Sequence, residues 1–228
     1  MGASRVCIYW FLVSHNKTLW NTIDLTKLKH KGKNVFYEYP VDDEFLIFRM
    51  PNIRKLVLPQ CCNLRESSYE FAFSQWKNLH TLIISTHFYV KGIFELRFVG
   101  ENCTNLTNLK LSGHVDQSIA EEIVCYLPKL KRVSMRCCVI NSTHEVSLLI
   151  TYLQNLTILN LSHCMIKTLL KDSLTEDSFI KTATQKIDTL IMCSKVGCEL
   201  CEDRSRIFGS DAFYEKHWRN DEIKELEF

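Results

Sequence analysis

Near the C-terminal end of the 228-residue chain, Cys193, Cys198 and Cys201 form a C-x4-C-x2-C run, and His217 follows. Three thiolates and one imidazole are a donor set for tetrahedral zinc. Only the Cys198–Cys201 interval has the tight spacing of a zinc knuckle, and His217 stands well beyond the run. The spacing alone therefore favours structural thiols, and no cofactor is expected. His163 beside Cys164 pairs a base with a nucleophile, but such a pair needs a third group to orient the imidazole, and none is in evidence. Asp42, Asp43 and Glu44 read as a solvated loop cluster. No Gly-rich phosphate loop, Gly-x-Ser-x-Gly elbow or His-Glu-x-x-His helix is present. No catalytic residue, and hence no enzyme, is expected.

The elements that carry these residues follow from a repeat. Asn52-IRKLVLP, Asn78-LHTLIIS, Asn105-LTNLKLS, Lys129-LKRVSMR, Asn155-LTILNLS and Lys186-IDTLIMC share the pattern polar, then apolar-x-x-apolar-x-apolar. Their last apolar positions are Leu58, Ile84, Leu111, Met135, Leu161 and Met192, the last of these after a longer interval than the others. An earlier member, Thr18-LWNTIDLT, ends on Leu25, again separated by a longer gap. The final three positions alternate as a short strand with one buried face does. The rest of each unit must carry the chain back to start the next strand beside the last. The period of about 26 residues suits a strand, a turn, a helix and a second turn, within the range of leucine-rich repeats. The expected fold is an α/β leucine-rich-repeat solenoid, with parallel strands on the concave side and helices on the convex side.

The intervening stretches have helical periodicity. Asp116 to Pro128 places Ile119, Ile123 and Leu127 on one face, with Ser118 and Glu121 as a capping box. Ser142 to Asn155 repeats the design, with Ser142 and Glu145 as the box and Val146, Leu149, Ile150 and Leu153 facing inward. Glu66 to Lys77 sets Tyr69, Phe73 and Trp76 at helical spacing, which predicts a core stripe. No domain boundary is expected inside residues 50 to 195.

Side chains between and after the buried strand positions must point to the other sheet face. They are Val57, Ile83, Ser85, Lys110, Ser112, Ser134, Arg136, Asn160, Ser162 and Ile191. This mixture of apolar, small polar and basic groups is typical of a protein interface, so the row is the expected binding face for a protein partner. The tail from Phe213 to Ile223 mixes aromatics and charges, and is expected to cover the open edge of the final repeat.

Bulk chemistry narrows the class of partner. A formal net charge of +2, with only short basic clusters, excludes a dedicated nucleic-acid surface. No apolar run approaches the roughly 20 residues of a membrane span, so no membrane contact is expected. Eleven cysteines, an odd number with adjacent pairs at Cys61-Cys62 and Cys137-Cys138, make a poor disulfide framework. Free thiols pack as small apolar groups in a reducing compartment, which points to cytoplasm or nucleus.

Several thiols occupy equivalent places in the repeat. The stretches Cys103-Thr-Asn-Leu106-Thr-Asn-Leu109-Lys-Leu111 and Leu156-Thr-Ile-Leu159-Asn-Leu161-Ser-His-Cys164 resemble the cysteine-containing class of leucine-rich repeats. In that class the side chain satisfies backbone groups in the turn. At the other end, Arg5-Val6-Cys7-Ile8-Tyr9-Trp10 and Thr18-Leu19-Trp20 look like the last helix and exit of an F-box, with Ile8 where that family usually has a basic residue. The chain resembles plant F-box proteins with leucine-rich repeats, the F-box being truncated on its N-terminal side. The resemblance implies a remnant of the box carried by Val6, Cys7, Trp10, Leu19 and Trp20. It implies docking on the small adaptor of a cullin-based (SCF-type) ubiquitin ligase, with the repeats holding a protein substrate. The alternative is a leucine-rich-repeat binding module that has lost ligase coupling. The expected organisation is residues 1–25 as box remnant and N-terminal cap, 26–195 as repeats, and 196–228 as C-terminal cap.

Overall fold

The computed structural model describes residues 21–24, 52–58, 66–86, 96–167, 173–193, 198, 200, 201, 217 and 219–228. Among these, nine strands belong to one sheet in which every pairing is parallel. Strands β1 (Thr22–Asp24), β2 (Lys55–Leu58), β3 (Thr81–Thr86), β4 (Asn108–Val115), β5 (Arg132–Ser134), β7 (Ile158–Asn160) and β9 (Thr189–Ile191) lie side by side in that order. Two short strands, β6 (Val139–Ile140) and β8 (Met165–Ile166), extend the end of β4 as a second ladder.

Register follows the repeat. Thr22 pairs with Lys55, and the same row continues through Thr81, Asn108, Arg132, Ile158 and Thr189. Each step equals the spacing of the leucine pattern, including the long first and last intervals. Leu58, Ile84, Leu111, Met135 and Leu161 share one buried interior, and Met192 packs against it. The carbonyls of Asn21, Arg54, His80, Thr107 and Lys131 each accept two successive backbone N–H groups from the next unit at 2.8–3.1 Å. That shared acceptor locks the entry to each strand, so a one-residue slip would cost two hydrogen bonds and turn every core side chain outward.

Helices α1 (Glu66–Gln75), α2 (Leu96–Asn102), α3 (Gln117–Tyr126), α4 (Thr143–Tyr152) and α5 (Ser173–Lys186) return the chain, each packing on the next. In α1, Phe73 is fully buried, and just past the helix Trp76 is too, with their rings edge to face at 5.3 Å; the Tyr69 side chain lies outside the described residues. In α4, Val146, Leu149 and Ile150 are buried, with Leu153 at its C-cap. Ser142 and Glu145 form the expected capping box. In α3 the cap differs from expectation. Asp116, not Ser118, is the N-cap, its carboxylate accepting from Ile119 N–H at 3.0 Å. Asp is as good a cap as Ser, and the earlier start brings Ala120 inward beside Ile123.

The observed architecture is an α/β parallel stack of leucine-rich-repeat type, helices covering one sheet face. No helix among the described residues is long and apolar enough to cross a membrane.

Candidate functional site

Alternation along the strands puts Val57, Ile83, Lys110, Ser134 and Asn160 on the sheet face away from the helices, and Ser112, Arg136 and Ser162 form the row beyond. This face was expected to be open, and that expectation is corrected. All eight side chains are buried, yet Val57 and Ile83 stand apart from the main core. The chain's own C-terminal segment, residues 217 and 219–228, lies against Lys110, Ser134, Arg136, Asn160 and Ser162. Its 3-10 turn, Lys224–Leu226, packs on β3 and β4, with Ile223 and Leu226 buried. Ile191 is half-buried, and the Ser85 side chain lies outside the described residues. The tail, expected to cover the edge of the last repeat, reaches back across the sheet to Asp24, which Arg219 meets at 3.5 Å.

Two adjacent carboxylates anchor it. Asp221 meets Lys110 Nζ at 3.0 Å and accepts from Ser134 Oγ at 2.6 Å, Asn160 Nδ2 at 2.9 Å and its own segment's Ile223 N–H at 2.9 Å. Glu222 accepts from Asn160 Nδ2 at 2.6 Å, Ser162 Oγ at 2.7 Å and Arg136 Nε at 3.2 Å. Arg136 Nη1 also donates to the His217 carbonyl at 2.8 Å. Further along, Arg132 faces Glu225 at 3.4 Å, and Lys55 Nζ donates to the carbonyls of Glu225 and Glu227. Lys110 and Arg219 lie over the Phe228 ring at 5.7 and 5.4 Å.

These groups tune one another. Burial holds the Lys110 ammonium below its ordinary pKa, while the Asp221 charge and hydrogen bond pull it back up. Lys55 is lowered by burial and by the charge of Lys110, against the opposing pull of Glu227, Asp221 and Glu225. Burial would raise the Glu222 carboxyl. Hydrogen bonds from Asn160 and Ser162, with the Arg136 charge, outweigh it and bring the group down to about 2.

The row before these, Lys55, Thr81, Asn108 and Arg132, was missed in the sequence although it obeys the same alternation, two residues earlier. It is stitched laterally, Asn108 Nδ2 donating to Thr81 Oγ1 at 3.0 Å and Arg132 Nη1 to Asn108 Oδ1 at 3.3 Å.

A second cluster lies beside the first. The ligating atoms of His163, Cys193, Cys198 and Cys201 are all within 4.8 Å of one another. The three cysteines are those of the C-x4-C-x2-C run, but the imidazole beside them is His163 rather than His217. His163 occupies the turn after β7 with φ 57°, as Cys137 does after β5 with φ 61°. That left-handed residue ends the strand and turns its ring toward the tail. Cys164 takes no part in the cluster. Its thiol donates to the Met135 carbonyl at 2.7 Å, as Cys138 does to Leu111 at 3.3 Å and Cys103 to Phe73 at 3.8 Å. The F-box-like residues Val6, Cys7, Trp10, Leu19 and Trp20, and the acidic cluster at 42–44, lie outside the described residues.

No family model matches the chain. Among curated proteins, one named as an F-box protein, At4g11580 of Arabidopsis thaliana, is 40% identical over 302 aligned positions, covering 100% of this chain and 90% of the relative. The F-box/LRR-repeat protein At3g48880 of Arabidopsis thaliana is 22% identical, with 99% and 88% covered. With identity at that level along its whole length, and a stacked parallel sheet of the matching repeat, the chain belongs to the plant F-box/leucine-rich-repeat family.

Proposed function

We propose that this protein is the substrate-recognition subunit of an SCF-type, cullin-based ubiquitin ligase, a non-catalytic scaffold that holds a protein substrate on the sheet face opposite the helices. Its second partner is the ligase adaptor, met through the F-box-like segment that includes Val6, Cys7, Trp10, Leu19 and Trp20. The observation that carries the reading is the full-length similarity to a protein named as an F-box protein. The division into residues 1–25, 26–195 and 196–228 goes with it. Thiols that donate to the preceding strand's carbonyls support the cysteine-containing type of repeat. The free cysteines support residence in cytoplasm or nucleus.

The sheet face suits a particular class of ligand. Lys55, Lys110, Arg132 and Arg136, with the small polar groups of Ser134, Asn160 and Ser162, together hold a segment with two consecutive carboxylates. A substrate with an acidic segment followed by apolar residues would engage the same donors, displacing residues 219–228.

The test is co-elution of the full chain with the purified adaptor of the ligase in size-exclusion chromatography. A 1:1 complex is the expected result. Migration of both proteins alone at concentrations of tens of micromolar would sink the ligase reading and leave the uncoupled binding module.

A further inference from the structure

The thiols of Cys193, Cys198 and Cys201 meet an imidazole from the preceding repeat, and their separations have a simple geometric meaning. His163 Nδ1 lies 3.4 Å from Cys198 Sγ and 3.5 Å from Cys201 Sγ, and Cys201 Sγ lies 3.6 Å from Cys193 Sγ. In a tetrahedron with Zn–S near 2.3 Å and Zn–N near 2.0–2.1 Å, ligand atoms stand about 3.5–3.8 Å apart. A disulfide would require about 2.05 Å, and all three cysteines are free. We propose that Cys193, Cys198, Cys201 and His163 Nδ1 bind one zinc ion in a closed, structural site that fastens the C-terminal segment to the repeat stack.

Independent features around the cluster fit that role. The Cys201 N–H donates to the Cys198 carbonyl at 3.0 Å, closing a turn that gathers the two sulfurs. Nε2 of His163, the nitrogen pointing away from the thiols, faces Glu222 Oε1 at 3.7 Å. At that separation the carboxylate acts by its charge, favouring a proton on the far ring nitrogen and leaving the Nδ1 lone pair for a metal. Glu222 is in turn held by Arg136, Asn160 and Ser162, so the outer shell of the site is itself anchored in β7 and its neighbours. Four protein ligands leave no open position for substrate, and soft thiolates with one imidazole select zinc over magnesium or calcium.

The fold explains why the pattern is scattered in sequence. β9 delivers Cys193 just past its end, next to the turn after β7 that carries His163. Cys198 and Cys201 join them from further along the chain. A bound ion would fix that junction at the start of the segment whose far end covers the sheet.

The experiment uses the full chain expressed with zinc present and freed of loosely bound metal by desalting. Elemental analysis should find one zinc per chain, and X-ray absorption at the zinc edge should resolve three sulfur neighbours and one nitrogen. H163Q should lose the zinc, whereas H217Q and C125S should keep it. Less than about 0.2 zinc per chain, an absorption spectrum dominated by oxygen neighbours, or retention by H163Q with loss in H217Q would each overturn the proposal. The wild-type absorption spectrum decides the matter even if H163Q fails to fold.

Discussion

Lys110 Nζ and Asp221 Oδ2 form an ion pair at 3.0 Å with side-chain exposures of 1% and 0%. One partner lies in the middle of the sheet and the other close to the chain's end. Two charges sealed from water this way are costly unless every donor is used. Asp221 meets that condition with three further hydrogen bonds.

Breaking the pair from one side should therefore be severe. Asp221→Ala leaves a buried ammonium with only neutral acceptors, the Asn220 and Leu226 carbonyls at 2.8 and 3.4 Å, and should lower unfolding stability by about 3–5 kcal/mol. Lys110→Met/Asp221→Leu should recover much of that loss, because well-packed apolar pairs often match buried ion pairs. Urea denaturation of the three proteins checks this. A single-mutant loss under about 1 kcal/mol, the range of exposed pairs, would mean that water reaches the pair.

Acid should loosen the tail through Glu222. Its carboxyl falls from the ordinary 4.5 to about 2 in the folded chain, so its contribution is complete above 4.5 and disappears as pH drops toward 2. Cleavage of residues 219–228 by an acid-tolerant protease should accelerate across that interval. Glu222→Gln should flatten this part of the profile; an identical profile in the variant would assign the acid response to another group.

Removing residues 219–228 should uncover Ser134, Asn160 and Ser162, together with four basic side chains. The shortened chain should then bind a synthetic peptide of sequence RNDEIKELEF, measured by fluorescence anisotropy. Binding should weaken with salt. A peptide with Asp221 and Glu222 replaced by Asn and Gln should bind at least about tenfold less tightly, since hydrogen bonds to charged groups contribute about 1.5–3 kcal/mol. Equal binding of the two peptides would show that the apolar residues do the holding.

Gly100→Ala tests how closely the helices are stacked. A Cβ there would run into the Tyr126 carbonyl oxygen and stand 2.8 Å from Tyr126 Cβ, at the junction of α2 and α3. Replacing a helical Gly by Ala ordinarily gains about 1 kcal/mol. Here overpacking at about 1–3 kcal/mol opposes it, and backbone cannot swing aside as a flexible side chain would. A net loss in melting temperature is expected, and a gain would mean that α2 slides freely on α3.

Chelation bears on the metal proposal thermodynamically. Zinc at a thousandfold excess over its dissociation constant stabilises the folded chain by about 4 kcal/mol. A strong chelator should therefore lower the melting temperature and speed cleavage between residues 201 and 219. The two effects should appear together, because Glu222 touches both His163 and the sheet face.

How much of this was legible in the chain itself varies by residue. Leu58, Ile84 and Leu111 could be aligned from their spacing because a stacked repeat writes its period directly into sequence, and strand pairing then copies that period as register. The α4 cap was legible for a similar reason, since Ser142 and Glu145 satisfy each other within one turn of helix. At α3 two cap-like residues competed, and Asp116 prevailed once the sheet dictated where the helix must begin.

The sequence alone determined the stack: its period, its strand positions, its three tail cysteines, and which side of each strand faces away from the helices. Tertiary structure alone decided what covers that side and which histidine joins the thiols. Alternation within a strand records a choice between two faces, and it holds no information about a segment several repeats further along the chain. Lys110 met Asp221, and His163 met Cys198 and Cys201, because the tail folds back over the strands, an arrangement settled by charge pairing and burial across the assembled sheet.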